Sequence, residues 1–262
     1  EHHLADSFHR AYAQAYHIFA EVQVRVPDFA PRSLLDFGAG ASPAGWAARA
    51  FWPDSSPRPI LVEPNGEMRS LNSQLIGAAL GNESDDAMVV AEKMPDESAG
   101  TYDLVTLWDV VEHVNFPFEV LDLALDLLRP GGVLAVVGFH PLSIMGLARW
   151  FRRGGQRPGW NGRYFRPYRV SDWLNVLGFE VEGVASGFYN LPVGDRGRVR
   201  LRWLDWLGRR FWWRNGGVYL LVARKRAAMM RPLPATAGFS RQQGPTVVSV
   251  PVARWRQQRN TE

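Results

Sequence analysis

Apolar residues fall into two alternating rhythms along this chain. Phe8, Tyr12, Tyr16, Ile18 and Phe19 recur near helical spacing, which predicts an opening helix over about 4–24. Short apolar runs follow, each bounded by glycine, proline or charge: SLLDFGAG (33–40), PILVEPN (59–65), DAMVVAEKMP (86–95), YDLVTLWDVVEHV (102–114) and VLAVVGFHP (133–141). They read as five strands. Helical segments separate them: SPAGWAARAFW (42–52) with Pro43 in its first turn, a stretch opening near Gly66, and PFEVLDLALDLLRPGG (117–132) closed by Gly131 and Gly132. Farther on, RVSDWLNVLGFEVEGV (169–184) predicts a helix N-capped at Ser171 and ended by Gly178, then a strand. RVRLRWLDWLGRRFWWRN (198–215) reads as another helix and GGVYLLVARKR (216–226) as a last strand. Strand–helix alternation of this kind calls for an α/β fold, a mainly parallel sheet covered by helices on both faces.

Composition narrows the class. The 262 residues suit one α/β domain over 1–227, with an N-terminal helical part in 1–30 and a tail from 228 that is expected to be disordered, being rich in proline, glutamine, glycine and arginine. The chain has no cysteine, which excludes a disulfide framework and thiolate-held zinc or iron–sulfur clusters. No apolar run approaches ~18 residues, so a soluble, cytoplasmic protein is expected. Charge is segregated. Residues 1–145 carry 8 Lys/Arg against 20 Asp/Glu, a net −12, whereas 146–262 carry 22 against 6, a net +16. The basic half suggests a face for something anionic.

The run SLLDFGAG ends a strand in a glycine turn, which lets backbone approach a ligand at the carboxyl edge of a sheet. A nicotinamide-type G-x-G-x-x-G would need glycine at 43, where Pro43 stands. The alternative is Asp36-x-Gly38-x-Gly40 followed by Glu63 at the end of the next strand, an acid able to accept from both hydroxyls of an adenosine ribose. After the fourth strand Asp109, Glu112 and His113 share one junction, with His113 a candidate general base. His140, ending the fifth strand, is a second candidate. Between residues 141 and 217 arginines (Arg149, Arg152, Arg153, Arg157, Arg163, Arg166, Arg169) interleave with aromatics (Trp150, Trp160, Tyr164, Phe165, Tyr168). That mixture reads as a lid over a pocket, as an RNA-gripping surface, or as a peripheral contact with an anionic membrane.

With LLDFGAG, ILVEPN, YDLVTLWDVVEHV and LLRPGGVLAVV in this order, the first ~145 residues resemble class I S-adenosylmethionine-dependent methyltransferases. The resemblance implies a Rossmann-like, mainly parallel seven-stranded sheet and S-adenosylmethionine as cofactor. Gly38 and Gly40 would lie against its methionine and ribose, Asp36 near the amino group, and Glu63 on the ribose, with Asp109 and Met94 also in the cofactor set. The acid that the family places near the adenine falls at Val90, and Glu92 is the substitute. Asp109-x-x-Glu112-His113 further resembles the metal-binding E-x-x-E-H of ubiquinone-type O-methyltransferases and small-RNA 2′-O-methyltransferases, so a divalent metal is a minor option. The N-terminal stretch through 53 resembles a methyltransferase-like family associated with the small ribosomal subunit. Residues 103–235 resemble the YafS-type predicted methyltransferases. The expected activity is methyl transfer to a small-molecule or lipid-linked acceptor. An RNA or ribosome-associated methyltransferase and a non-catalytic assembly factor are the alternatives.

Overall fold

A computed structural model describes residues 2–81, 88–93, 99–143, 146, 162–187 and 216–226, with side chains from Phe8 onward. The order of elements is α1 (His2–Arg25), β1 (Ser33–Phe37), α2 (Pro43–Phe51), β2 (Arg58–Val62), α3 (Gly66–Leu80), β3 (Val89–Ala91), β4 (Tyr102–Trp108), α4 (Pro117–Leu127), β5 (Leu128–Phe139), α5 (Pro167–Leu177), β6 (Phe179–Gly187) and β7 (Val218–Lys225). The seven strands form one sheet in the order β3-β2-β1-β4-β5-β7-β6. All neighbours run parallel except β7, which is antiparallel to both β5 and β6. Strand order reverses between β1 and β4, and that switch point opens a crevice at the carboxyl ends of the strands. Residues 1–227 form one unit; 228–262 form another, and the tail expected to be disordered lies outside the described residues.

Alternate residues of each strand face opposite layers. Leu34 and Leu104 pack with Ala15, Phe19 and Val22 of α1 and with Ala44, Ala47 and Ala48 of α2. Leu35, Val105 and Leu107 pack instead with Leu121 and Ala124 of α4 and Val170 and Leu174 of α5. The alanines of α2 let its backbone sit close to the sheet. Gly45 has no room for more: a Cβ there would stand 2.8 Å from Met88 Cε and Ser42 Oγ. Pro43 opens α2, as its fixed φ and missing N–H allow. At α3, Asn65 caps the helix by accepting from the Glu67 and Met68 amides. Asn65→Ala is therefore expected to cost about 1 kcal/mol in chemical unfolding.

Two boundaries differ from expectation. The helix of 169–184 begins at Pro167, not after a cap at Ser171. Arg166 is the extended N-cap residue, proline pre-sets the first turn, and Pro167, Val170 and Leu174 supply the buried face. Its end at Gly178 (φ 102°) is as read. The second difference concerns α4, which stops at Leu127 before the glycines. The pairing of β4 with β5 jumps from Tyr102↔Leu128 to Leu104↔Val133, so Arg129–Gly132 bulge from the strand. Gly131 holds φ 78° in that bulge.

Candidate active site

The loop after β1 is built from backbone geometry that few residues tolerate. Gly38 (φ 74°), Gly40 (φ 56°) and Ser42 (φ 58°) all lie in the left-handed region. The amides of Gly38 and Ala39 donate to Val62 O, tying the loop to the end of β2. The carboxylate of Glu63, buried there, spans two amides at 2.8 Å: Oε2 accepts from Gly40 N and Oε1 from Asn65 N. From α3, Asn72 Nδ2 donates to Gly40 O at 2.8 Å, completing the brace.

Above this loop lies a cavity of about 590 Å³. Residues 38–41, Pro43 and Ala44 line it, with Leu71 and Leu75 of α3 and Trp108 of β4. Phe8, His9 and Ala11 of α1 complete its lining. Asp36, near the carboxyl end of β1, also lines it while only 2% exposed. Burial pushes its carboxyl up to about 6, against the Thr106 Oγ1 bond at 2.7 Å that lowers it; Glu63 adds a smaller push upward. A buried acid facing a cavity favours a cationic partner, which would restore its charge.

The other candidate residues lie elsewhere. Glu92 is at the surface, with its carboxylate 3.2 Å from Arg69 Nη2. Arg69 Nη1 also donates to the carbonyls of Glu63 and Pro64. Met94 lies outside the described residues. Asp109 holds φ 54°, and its Oδ1 stands 3.4 Å from His113 Nε2. Glu112 turns away from that pair: its Oε1 accepts from Phe139 N at 2.7 Å, and its backbone carbonyl accepts from Arg163 N at 2.8 Å. One residue thus ties the loop after β4 to the end of β5 and to the segment entering α5. Gly138 makes room for this, since a Cβ there would press on Glu112 Oε1 and come within 2.6 Å of Tyr219 Oη. Among the described residues no three His, Asp or Glu side chains are grouped to hold a metal, and Asp109, Glu112 and His113 do not converge.

His140 is 5% exposed, and its Nδ1 accepts from Leu142 N at 3.1 Å. Burial, and then the positive charge of Arg166, depress its pKa, so the ring is neutral with its proton on Nε2. Neither His113 nor His140 lines the cavity. Of the arginine- and aromatic-rich insertion, residues 144, 145, 147–161 and 188–215 lie outside the described residues. Within the described part, Tyr164 stacks on Phe139 (5.3 Å), Phe165 meets Trp173 edge-on (5.2 Å), and Arg169 lies over Trp173 at 5.4 Å. Those aromatics pack inward; Tyr168 stands exposed.

Sequence reasoning did not single out three contributors: Asn72, Trp108 and His9. Asn72 shares the buried face of α3 with Ile76, and a polar residue at an apolar helical position was the available signal. The residues present fit an adenosylmethionine-sized, amphiphilic guest. Asn72 Oδ1, Ser42 Oγ and Trp108 Nε1 are buried without partners around the loop and cavity, and a Cβ on Gly40 would meet nothing within 4 Å.

Comparison with known proteins agrees with this geometry. The family model described as a methyltransferase domain matches residues 8–184. The ubiquinone biosynthesis O-methyltransferase of Xanthomonas axonopodis pv. citri is 26% identical over 183 residues, 64% of this chain and 71% of that one. The uncharacterized protein YafS of Escherichia coli is 37% identical over 81 residues, 31% of this chain and 33% of its own length. Among solved structures, a Thermotoga maritima S-adenosylmethionine-dependent methyltransferase, described as a possible histamine N-methyltransferase, superposes with TM-score 0.55. It is 16% identical, with 85% of this chain and 96% of that chain covered, and so shares the fold. No described helix is long and apolar enough to cross a membrane. With a switch-point cavity over a strained glycine loop and a domain match across two thirds of its length, the chain belongs to the methyltransferase domain family and is an S-adenosylmethionine-dependent methyltransferase.

Proposed function

We propose that the chain methylates a hydroxyl oxygen of a small-molecule acceptor, soluble or lipid-linked. The observation that carries this reading is the cavity itself: apolar walls (Leu71, Leu75, Phe8, Trp108) around one buried acid, set above the glycine loop. Such lining suits an uncharged, flat acceptor better than a polyanion. The relatives named as ubiquinone biosynthesis O-methyltransferases point to oxygen as the accepting atom.

Asp36, Gly38, Gly40 and Asn72 would hold the cofactor, with Glu63 keeping the loop in shape. When bound, the cofactor supplies a methyl group on a positively charged sulfur, already activated for displacement. The protein's own task is then to orient the acceptor, exclude water and take up the acceptor's proton. Asp36, unable to ionise cheaply alone, gains a cationic partner in the cofactor's ammonium group.

Isothermal titration with S-adenosylmethionine, followed by turnover of catechol as a soluble, uncharged phenolic probe, tests the reading. One-to-one binding and methyl transfer to the probe's oxygen are expected. Absence of cofactor binding overturns it. Preferential, salt-dependent methylation of bulk RNA would overturn the small-molecule acceptor in favour of nucleic acid.

A further inference from the structure

Resting on that reading, we infer that His9 of α1 is the catalytic residue that accepts the acceptor's proton, with Phe8 and Ala11 of the same helix lining the acceptor's side of the cavity. Among the described residues that line the cavity, only Asp36 and His9 carry side chains able to take a proton. Asp36 is committed elsewhere: it is buried and held by the Thr106 hydroxyl. His9 is exposed and lines the cavity together with Phe8 and Ala11 of the same helix.

The helix is placed to hold it there. Ala15, Phe19 and Val22, all fully buried, anchor α1 on the sheet and on α2. Phe8 and Tyr12 continue that stripe toward the N-terminus, with their rings stacked at 6.5 Å. His9 follows one residue on from Phe8 and meets its ring edge-on at 6.3 Å. The anchored stripe therefore fixes which way the first turns face. The two histidines expected from the sequence are less suited. His140 spends Nδ1 on Leu142 N, and His113 stands against Asp109 with neither lining the cavity.

The step balances simply. The acceptor's O–H bond breaks, and its proton goes to the free imidazole nitrogen of His9. The oxygen's electron pair forms the new O–CH3 bond, while the pair of the old S–CH3 bond stays on sulfur. His9 later returns the proton to solvent, to which its side chain is open.

Imidazole spectra of the 15N-labelled protein, with His9 assigned through His9→Gln, give a readout independent of turnover. Adding S-adenosylhomocysteine with catechol should shift the His9 signals and leave those of His17, two turns along the same helix, in place. His9→Gln and His9→Asn should bind S-adenosylmethionine within about threefold of the parent and turn over about a hundredfold more slowly. His17→Gln should be unaffected, and added imidazole should partly rescue His9→Ala. Unshifted His9 signals, or a His9→Gln enzyme within twofold of the parent, would overturn the assignment. A parent protein that binds no S-adenosylmethionine would sink the functional reading as well, so the two failures are distinguishable. If the phenolic probe is not turned over, the spectra alone decide.

Discussion

Glu63→Ala is expected to weaken S-adenosylmethionine binding by roughly a thousandfold, the largest effect of any single substitution outside the cavity. The carboxylate does not line the cavity, yet it bridges Gly40 N and Asn65 N at 2.8 Å each. Hydrogen bonds to a charged group contribute about 1.5–3 kcal/mol apiece. Losing both leaves two amides without their acceptor and frees a loop whose Gly38, Gly40 and Ser42 all hold positive φ. Binding must then re-order that loop, and a penalty of about 4 kcal/mol corresponds to a thousandfold. Glu63→Gln keeps one acceptor oxygen and should lose less, about tenfold to a hundredfold. Calorimetric titration reads both variants, and amide exchange at Gly40 should accelerate in parallel. Unchanged affinity in Glu63→Ala with faster exchange at Gly40 would separate the loop from cofactor binding and defeat the argument.

The contrast between Glu63 and Asn72 shows what could be read in advance. Glu63 was legible because a strand-terminal acid 23 residues after Gly40 is a spacing of sequence, and parallel pairing of β1 with β2 makes that spacing a contact. The strands were legible for a similar reason: buried parallel strands read as continuous apolar runs. Asn72 braces the same loop from a helix, where a polar residue at an apolar helical position is the sole local signal and names no partner. The start of α5 was misplaced because Ser171 looks like a cap, whereas Pro167 with Val170 and Leu174 sets the real first turn. His113 and His140 drew attention by lying at strand ends, where sites belong in this architecture. His9 did not, because its place over the cavity depends on how α1 folds back across β1 and α2, a tertiary relation that no local spacing encodes. Glu112 stood within a motif that suggested metal, but its carboxylate is directed to Phe139 N instead.

That direction has a consequence for stability. Glu112 is 2% exposed, its Oε2 has no hydrogen-bond partner, and Tyr219 Oη beside Gly138 has none either. Burial raises its carboxyl from 4.5 to about 7, over the opposing bond from Phe139 N, and the Asp109 charge adds to the rise. The phenol of Tyr219 is likewise pushed upward by burial and by Glu112. A carboxyl raised on folding contributes stability that is complete below its unfolded value and lost as pH climbs through the folded one. The unfolded chain releases this proton near 4.5 and the native state only near 7. Across that window Glu112 should remove about 3 kcal/mol from the parent's unfolding free energy. Asp36, raised from 3.8 to about 6, slopes the same way. His140, lowered by burial, slopes oppositely, because its native ring stays neutral where the unfolded ring is charged. The difference between parent and Glu112→Gln cancels both. Glu112→Gln should match the parent near pH 4.5 and exceed it by about 3 kcal/mol at pH 8, in urea unfolding of the cofactor-free protein. An offset constant across pH would mean that Glu112 acts by packing alone, with its carboxyl ionised or paired in the native state.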